Sequence, residues 1–393
     1  MFVIQDQHDK WMRRALELAC VGSAQASPNP MVGAVLTDAS GNFISEGFHT
    51  YENRKHAEVI ALEQAGAKAK GTTLYINLEP CSHIGRTGPC VDELIRAGVS
   101  RVHAAMRDPN PLVAGKGFER LRSVGIQVEE GLLQPEARKL NEAFAKFIVA
   151  KRPLVTLKAG MTLDGKIAPP PGGTISVFGT GGATGGWITS EEARAHVQEL
   201  RHMSDAIMVG VGTVVADDPL LTDRTGLPRR RPLLRVIMDS RLRLSLESRL
   251  VKTVKDDLLV FCSFAEEKKR RELENRGVRV EQVRLGAPDG RPDLPSILSR
   301  LGELEITSVI IEGGALLNWT ALATDSVDKI FLYYAPKILA GTGSVPFAAG
   351  AGFQKISEAA YIRNVTLHRF GEDFAVEGYL HDPYEDADVH RHH

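Results

Sequence analysis

The stretch from His56 to Cys90 constrains this 393-residue chain more than any other. It opens with His56-Ala57-Glu58 and closes with Pro80-Cys81-Ser82-His83-Ile84-Gly85-Arg86-Thr87-Gly88-Pro89-Cys90. One imidazole and two thiolates can hold a zinc and leave its fourth position open to water, as catalytic rather than structural sites do. Such a set demands that ligands far apart in sequence meet. Residues 59–66 read as a helix that His56 and Glu58 open. Residues 73–78 read as a hydrophobic strand that ends at Glu79-Pro80-Cys81. A helix start and a strand end can converge on one ion.

Taken singly, the pieces say little. His-x-Glu is common by chance, and cysteine often packs as a small hydrophobe. The joint pattern carries the signal. Glu58, two residues past the histidine, is free to move protons. His-x-Glu followed by Pro-Cys-x-x-Cys is the signature of zinc deaminases of nucleobases. Here the second cysteine stands much further from the first.

Charge and composition exclude several classes. Lys+Arg number 48 and Asp+Glu 49, so no basic field argues for nucleic acid. The sequence shows no signal peptide and no apolar run long enough to span a bilayer, so a cytoplasmic protein without membrane partners is expected. Four cysteines, Cys20, Cys81, Cys90 and Cys262, are too few and scattered for a disulfide scaffold. Cys20 and Cys262 lie in apolar segments and are expected in the core.

In chain order, residues 9–21 have helical apolar spacing. Ser27-Pro28-Asn29-Pro30 is a turn, residues 31–36 a buried strand, and residues 43–48 its hairpin partner, which leaves Asn29 and His49 at strand margins. A helix over 91–97 ends at Gly98. A strand over 101–106, a helix over 118–123 and a strand over 125–129 follow, then one long amphipathic helix from Pro135 through Phe147. This alternation implies a largely parallel sheet sandwiched by helices. Lys151-Arg152-Pro153 marks a boundary, giving domains 1–150 and 151–383 and a flexible tail 384–393, with the first domain expected to fold alone. A strand at 154–159, followed by Met161-Thr162-Leu163-Asp164-Gly165-Lys166, precedes a Pro/Gly-rich loop, 169–186, expected to order over bound ligands. Ser190 caps a helix. Strands at 205–210 and 308–311 lead into Val211-Gly212-Thr213 and Glu312-Gly313-Gly314, turns that let backbone N–H groups approach a phosphate. Neither is a Gly-x-Gly-x-x-Gly fingerprint.

In this order the motifs resemble those of the bifunctional deaminase-reductases of riboflavin biosynthesis. The first half matches through Asn29-Pro30-x-Val32-Gly33, His56-Ala57-Glu58 and Leu74-Tyr75-x-x-Leu78-Glu79-Pro80-Cys81-Ser82-His83-x-Gly85-Arg86-Thr87-x-Pro89-Cys90. The second matches through Lys158, Leu163-Asp164-Gly165, Trp187-Ile188-Thr189, Asp205-Ala206-x-x-Val209-Gly210-x-Gly212-Thr213, Asp217-Asp218-Pro219-x-Leu221 and Glu312-Gly313-Gly314.

The resemblance implies an α/β chain with a cytidine-deaminase-like N-terminal domain and a dihydrofolate-reductase-like C-terminal domain. The first domain would hydrolytically deaminate a phosphorylated diaminopyrimidine on one Zn2+. The second would reduce its ribosyl group with NADPH. His56, Cys81 and Cys90 would bind zinc and Glu58 would shuttle protons. Asn29, His49, His83 and Arg86 would hold base or phosphate. In the reductase, Lys158, Asp217 and Glu312 would face the ribose, and Leu221, Arg201 and Arg224 would bind substrate, the arginines through its phosphate. Trp187, Thr189, Thr213, Asp217, Gly313 and Gly314 would contact the dinucleotide. A homo-oligomer through the reductase domain is expected. The sequence departs from the family at Lys55, Gly88 and Gly185 and in the length of the 169–186 loop. Two rival readings are a single-activity zinc deaminase with a degenerate second half, and a binding protein with structural zinc. Intact Lys158, Asp217 and Glu312 weigh against the first, Glu58 and the open zinc position against the second.

Overall fold

The computed structural model describes residues 2–82, 88–111, 113–170, 187–286 and 290–385. His83, Arg86 and Gly185 fall outside them, as does nearly all of the 169–186 loop. The chain forms two compact units. One comprises Met1–Lys151 with Pro228–Arg231 and the described part of Pro383–His393, the other Arg152–Leu227 and Pro232–Asp382.

The first unit is built on a five-stranded sheet of order β2-β1-β3-β4-β5, from β1 (Gly33–Thr37), β2 (Phe43–Phe48), β3 (Thr73–Ile76), β4 (Arg101–Ala104) and β5 (Gln127–Glu130). It is less parallel than the alternation of elements implies. β1 runs antiparallel to both neighbours, and only β3, β4 and β5 are mutually parallel. The cause is the connection through α2 (Ala57–Ala65), which carries the chain from β2 across to the far side of β1, so that β2 and β3 flank β1 in the same direction.

Helices close on both faces where glycine allows it. A Cβ on Gly33 would lie 2.1 Å from the Ala15 carbonyl of α1 (Phe2–Val21). A Cβ on Gly47 would lie 2.5 Å from the Ala57 carbonyl of α2. Ala34, the residue after Gly33, pairs with Gly47. Successive residues of a strand face opposite ways, so α1 and α2 cover opposite faces. α3 (Cys90–Ala97) ends on Gly98 at φ 72°, a left-handed cap that glycine adopts at low cost. α4 (Lys116–Ser123) follows β4.

The long helix expected from Pro135 is two helices, α5 (Gln134–Leu140) and α6 (Glu142–Ala150), broken at Asn141. The buried Asn141 side chain accepts from Met31 N at 2.8 Å and donates to Met31 O at 3.0 Å. Those bonds fix the segment before β1. Asparagine is a weak helix former because its amide competes for backbone groups in this way. Tyr384, the first residue of the expected tail, is held. Tyr384 is 2 % exposed in the first unit's core, donates to Arg138 O at 2.8 Å and lies under the Arg138 guanidinium at 3.9 Å.

The second unit carries a nine-stranded sheet of order β11-β10-β9-β8-β14-β6-β15-β18-β17. Its strands are β6 (Leu154–Thr162), β8 (Ala206–Gly210), β9 (Leu234–Met238), β10 (Leu258–Cys262), β11 (Arg279–Gln282), β14 (Ser308–Ile311), β15 (Lys329–Ala335), β17 (Arg363–Phe370) and β18 (Asp373–Tyr379). The run from β11 to β15 is parallel, and β18 and β17 add an antiparallel edge. The strand expected at 154–159 runs on to Thr162 as β6, and β7 (Lys166–Ala168) pairs with β16 (Val345–Pro346); a second ribbon joins β12 (Leu285–Gly286) to β13 (Arg291–Pro292).

Alternate residues of the central strands enter two cores. Ala206, Met208, Val236 and Ile311 pack with α11 (Leu294–Glu303) and α12 (Ala315–Ala323). Ile207, Val209, Ile237 and Ile310 pack with α8 (Val211–Asp217), α9 (Arg249–Lys252) and α10 (Glu267–Glu274). α7 (Glu191–Met203) is capped by Ser190, whose hydroxyl accepts from Ala193 N at 3.2 Å. Among the described residues, no helix is long and apolar enough to cross a membrane.

Because Tyr384 belongs to the first unit's core, Tyr384→Ala should destabilise that unit by about 3 kcal/mol. A fragment ending at Ala150, which lacks Tyr384 altogether, should unfold at lower denaturant than the same unit in the full chain. Chemical denaturation followed by Trp11 fluorescence measures both, and equal midpoints would refute the role given to Tyr384.

Candidate active sites

In the first unit the backbone brings three donors together at the ends of elements. His56 is the N-cap residue of α2, Cys81 follows β3, and Cys90 opens α3. Their ligand atoms all lie within 4.8 Å of one another. His56 Nδ1 is 3.0 Å from Cys90 Sγ and 3.5 Å from Cys81 Sγ. The Cys90 N–H, at the start of α3, donates to Cys81 Sγ at 3.3 Å, which favours the thiolate. The hydrogen bond from Cys90 and the neighbouring His56 pull Cys81 down to about 4, and bonding to Cys81 lifts His56 to about 9. Its hydrogen bond to Cys81 and its burial push Cys90 upward, and a second thiolate there would meet repulsion from the first. A divalent cation relieves that repulsion, so the donor set fits zinc.

Glu58 lies in the first turn of α2, 3 % exposed, where burial raises its pKa. Its Oε2 has no hydrogen-bond partner among the described residues. A buried carboxylate oxygen left open beside a metal donor set suits proton transfer.

His49 and Asn29 reach the same place. His49 Nδ1 lies 2.9 Å from the Lys55 carbonyl, so it carries the proton, and Nε2 accepts from Asn29 Nδ2 at 2.9 Å. Burial lowers the His49 pKa, which keeps the ring neutral, and its centroid is 5.4 Å from that of His56. Two further supports escaped the sequence reading. Fully buried Asn77 accepts from Gly33 N at 2.9 Å and donates to Met31 O at 2.9 Å. Glu79 accepts from the backbone N–H groups of Asp108, Gly115 and Gly117 at 3.1, 2.9 and 2.8 Å, which anchors the turn that presents Cys81. The available signal was a polar residue at the end of an apolar strand.

In the second unit a cavity of about 520 Å3 opens beyond the carboxyl ends of β6, β8, β9 and β14. Ligands of open α/β sheets occupy that position, where the strand order reverses. Lys158, Thr213, Asp217, Glu312, Gly313 and Gly314 line it. Gly210 and Gly314 are the N-cap residues of α8 and α12 and give no side-chain cap. A Cβ on Gly313 would stand 2.9 Å from Leu317 Cβ and 3.0 Å from Asn318 Oδ1, so only glycine fits there without displacement.

Arg201, expected at the substrate phosphate, stands beside Glu312. It is 6 % exposed, and its guanidinium grips Glu312 with two bonds, Nε to Oε1 at 2.7 Å and Nη2 to Oε2 at 3.0 Å, while Nη1 donates to Thr222 O at 3.0 Å. Its fork orients Glu312. Lys158 Nζ adds 3.3 Å to Glu312 Oε2. Burial would raise Glu312, but the two cations outweigh it and hold the carboxylate at about 2. Burial alone lifts Asp217 to about 6.

The other expected residues lie off the cavity wall. Leu221 is buried in the core at φ 52°, so only its backbone can reach a ligand. Arg224 is exposed and its pKa is lowered by partial burial and by Arg201. Trp187 O accepts from Lys337 Nζ at 2.6 Å, and the Arg194 guanidinium lies 4.6 Å from the Trp187 ring. Thr189 Cγ2 is 3.2 Å from the Cβ position of Gly160, a cavity residue. Sequence reasoning missed Gly160, Ser240 and Arg243 in the wall.

Comparison with known proteins agrees with both halves. A family model described as the RibD C-terminal domain matches residues 153–376, and one described as the cytidine and deoxycytidylate deaminase zinc-binding region matches residues 5–106. The riboflavin biosynthesis protein RibD of Actinobacillus pleuropneumoniae is 40 % identical over 367 residues, 93 % of this chain and 94 % of that protein. That of Escherichia coli K12 is 37 % identical, covering 93 % and 98 %. Among solved structures, Acinetobacter baumannii RibD superposes with a TM-score of 0.80 at 34 % identity over 95 % of this chain and 99 % of that one. A Thermotoga maritima diaminohydroxyphosphoribosylaminopyrimidine deaminase/5-amino-6-(5-phosphoribosylamino)uracil reductase gives 0.78 at 35 % identity, with the same coverage.

Asp217 yields a pH prediction. Its folded pKa of about 6 lies above the ordinary 3.8, so the fold favours its protonated form. Relative to a neutral side chain, the charge costs stability as pH rises from near 4 through about 6, and the cost is complete above that. Asp217→Asn should therefore gain stability over wild type at pH 7.5 and show a smaller gain at pH 5. Urea denaturation at the two pH values measures the gap, and a gap that does not grow with pH refutes it.

Proposed function

This chain belongs to the RibD family of bifunctional riboflavin-biosynthesis enzymes, and from that premise we propose how its residues divide the work. The chain is a deaminase and a reductase. Its zinc-dependent unit hydrolyses the amine of 2,5-diamino-6-ribosylamino-4(3H)-pyrimidinone 5′-phosphate, and its second unit reduces the ribosyl group to ribityl. The observation that carries the residue assignment is the convergence of His56, Cys81 and Cys90 beside the buried, open carboxylate of Glu58.

His56, Cys81 and Cys90 would hold the zinc, which when bound supplies a Lewis acid that makes water acidic near neutral pH. Glu58 takes one proton from the attacking water and passes it to the ring nitrogen, then takes the second from the hydroxyl on the ring carbon and gives it to the departing amine, which leaves as ammonia. Its raised pKa suits both tasks, since it can hold the proton between them. Neutral His49, aligned by Lys55 O and Asn29, lies against the base. His83 and Arg86 are proposed to complete that grip from outside the described residues.

For the reductase, we propose that NADPH binds along the glycine turns at Gly210–Thr213 and Gly313-Gly314, with Trp187 and Thr189 closing on it. Bound there, the cofactor supplies a hydride. The protein must then steady the ribosyl chain and provide a proton. Asp217, which keeps its proton to about pH 6, is placed to do so, and Lys158, held by Glu312, orients the hydroxyls. Arg224 is proposed for the substrate phosphate, with Leu221 contributing backbone. Self-association is proposed through β17, an edge strand that exposes Val365 (54 %) and Leu367 (70 %).

The test is Glu58→Gln. It keeps all three donors, so zinc content should stay at one per chain by metal analysis. Ammonia release should fall by about 10²–10⁴-fold, while reduction of pre-deaminated substrate continues. Full ammonia release, or no zinc in the wild-type protein, overturns the assignment.

A further inference from the structure

We infer that Arg230 is a positioning residue of the zinc deaminase, although it lies far along the chain from the zinc donors. It holds the two loops that present Asn29 and His49, so the inference rests on the base-binding reading of that pair given above. Pro228–Arg231 belongs to the first unit, while Leu227 before it and Pro232 after it belong to the second. A short segment from the later half of the sequence is therefore part of the deaminase.

Arg230 engages that unit in three ways. Its backbone N–H donates to Ala24 O at 2.9 Å. Its Nη1 donates to Ser27 O at 2.6 Å. Its guanidinium carbon lies 3.4 Å from the centroid of the Tyr51 ring, a cation–π contact. On either side, Arg231 Nη2 donates to Ser27 Oγ at 3.3 Å, and Arg229 Nε donates to Arg231 O at 3.2 Å.

The partners of Arg230 stand on the loops that carry the base-binding pair. Ala24 through Ser27 lead into Asn29, whose N–H donates to Ala26 O at 2.9 Å. Tyr51 is two residues past His49, and its N–H donates to Gln25 O at 3.0 Å. Asn29 Nδ2 then meets His49 Nε2 at 2.9 Å. One loop precedes β1 and the other follows β2, so neither has the strand ladder to fix it. Ala24 stands at φ 57°, a left-handed conformation that alanine keeps only when its surroundings impose it. Arg230 joins the two loops through one planar group. A guanidinium donates in its plane and stacks through its face, whereas an ammonium can do only the first equally well. The bond from Tyr51 N to Gln25 O does not depend on Arg230, so its loss should loosen the pair rather than unfold the turn.

The zinc donors and Glu58 stand on other elements, at the start of α2, after β3 and at the start of α3, so the effect should fall on substrate binding. The experiment uses the full-length zinc protein and measures KM and kcat for ammonia release. Arg230→Ala should raise KM by about tenfold, the loss of one charge-assisted hydrogen bond, with a much smaller change in kcat. Zinc content and reduction of pre-deaminated substrate should match wild type. Arg230→Lys should recover part of the loss. Tyr51→Leu removes only the stacking face and should raise KM less, which keeps the comparison if Arg230→Ala fails to fold. Asn29→Ala should also raise KM, and the double variant with Arg230→Ala should fall well short of the product of the two losses, because one acts through the other. An unchanged KM in both Arg230→Ala and Tyr51→Leu, beside an impaired Asn29→Ala, overturns the inference and leaves the base-binding reading standing. So does a double variant whose loss equals that product, since Arg230 would then act independently of Asn29. A wild-type KM in Asn29→Ala overturns both.

Discussion

The central strands of both sheets are buried on their two faces, and the placement of function follows from that constraint. Helices α1 and α2 close on opposite faces of the first sheet at Gly33 and Gly47. The central strands of the second sheet feed alternate side chains into two separate cores. A sheet covered in this way has no exposed face left for polar chemistry. Polar and charged groups collect where strands end and helices begin, because backbone groups there still need partners. His56, Cys90, Thr213 and Gly314 all stand at such junctions.

The two sites solve the cost of burial differently. In the zinc site, thiols and an imidazole share protons until a cation can neutralise them, and Glu58 is left with an unpartnered oxygen. In the reductase cavity the buried carboxylate of Glu312 is fully matched by Arg201 and Lys158. A buried charge without such partners would lose its ionisation. The arrangement fixes Lys158 in place beside Glu312, while Asp217, shifted by burial alone, titrates nearer neutrality.

Support for the sites comes from residues with no chemical role of their own. Asn77 and Asn141 both bind the backbone at Met31, one from the end of β3 and one from the break between α5 and α6. Glu79 gathers three backbone N–H groups and sets the turn that carries Cys81. Each satisfies polar backbone that would otherwise be buried alone. Asn141 gives up helix continuity to do so.

The sequence by itself determined the class of fold and the two-part division of the chemistry and picked out the candidate zinc donors and Glu58, because those depend on residue types at fixed spacing. The helix start at His56, the Gly98 cap and the Ser190 cap were equally legible, since caps and periodicity are local. Partners were not. Nothing in the chain near Arg201 says that its fork closes on Glu312, which lies far away in sequence and meets it across the sheet. Asn141 reads as part of one helix until Met31 is beside it. Tyr384 reads as a tail residue until Arg138 covers it. Ser240 and Arg243 carry no local signature, and only the strand order, which puts β9 at the far end of the cavity, brings them into its wall. Local propensity and motif spacing act over a few residues, whereas burial and charge pairing are settled by what the finished sheet places next to each group.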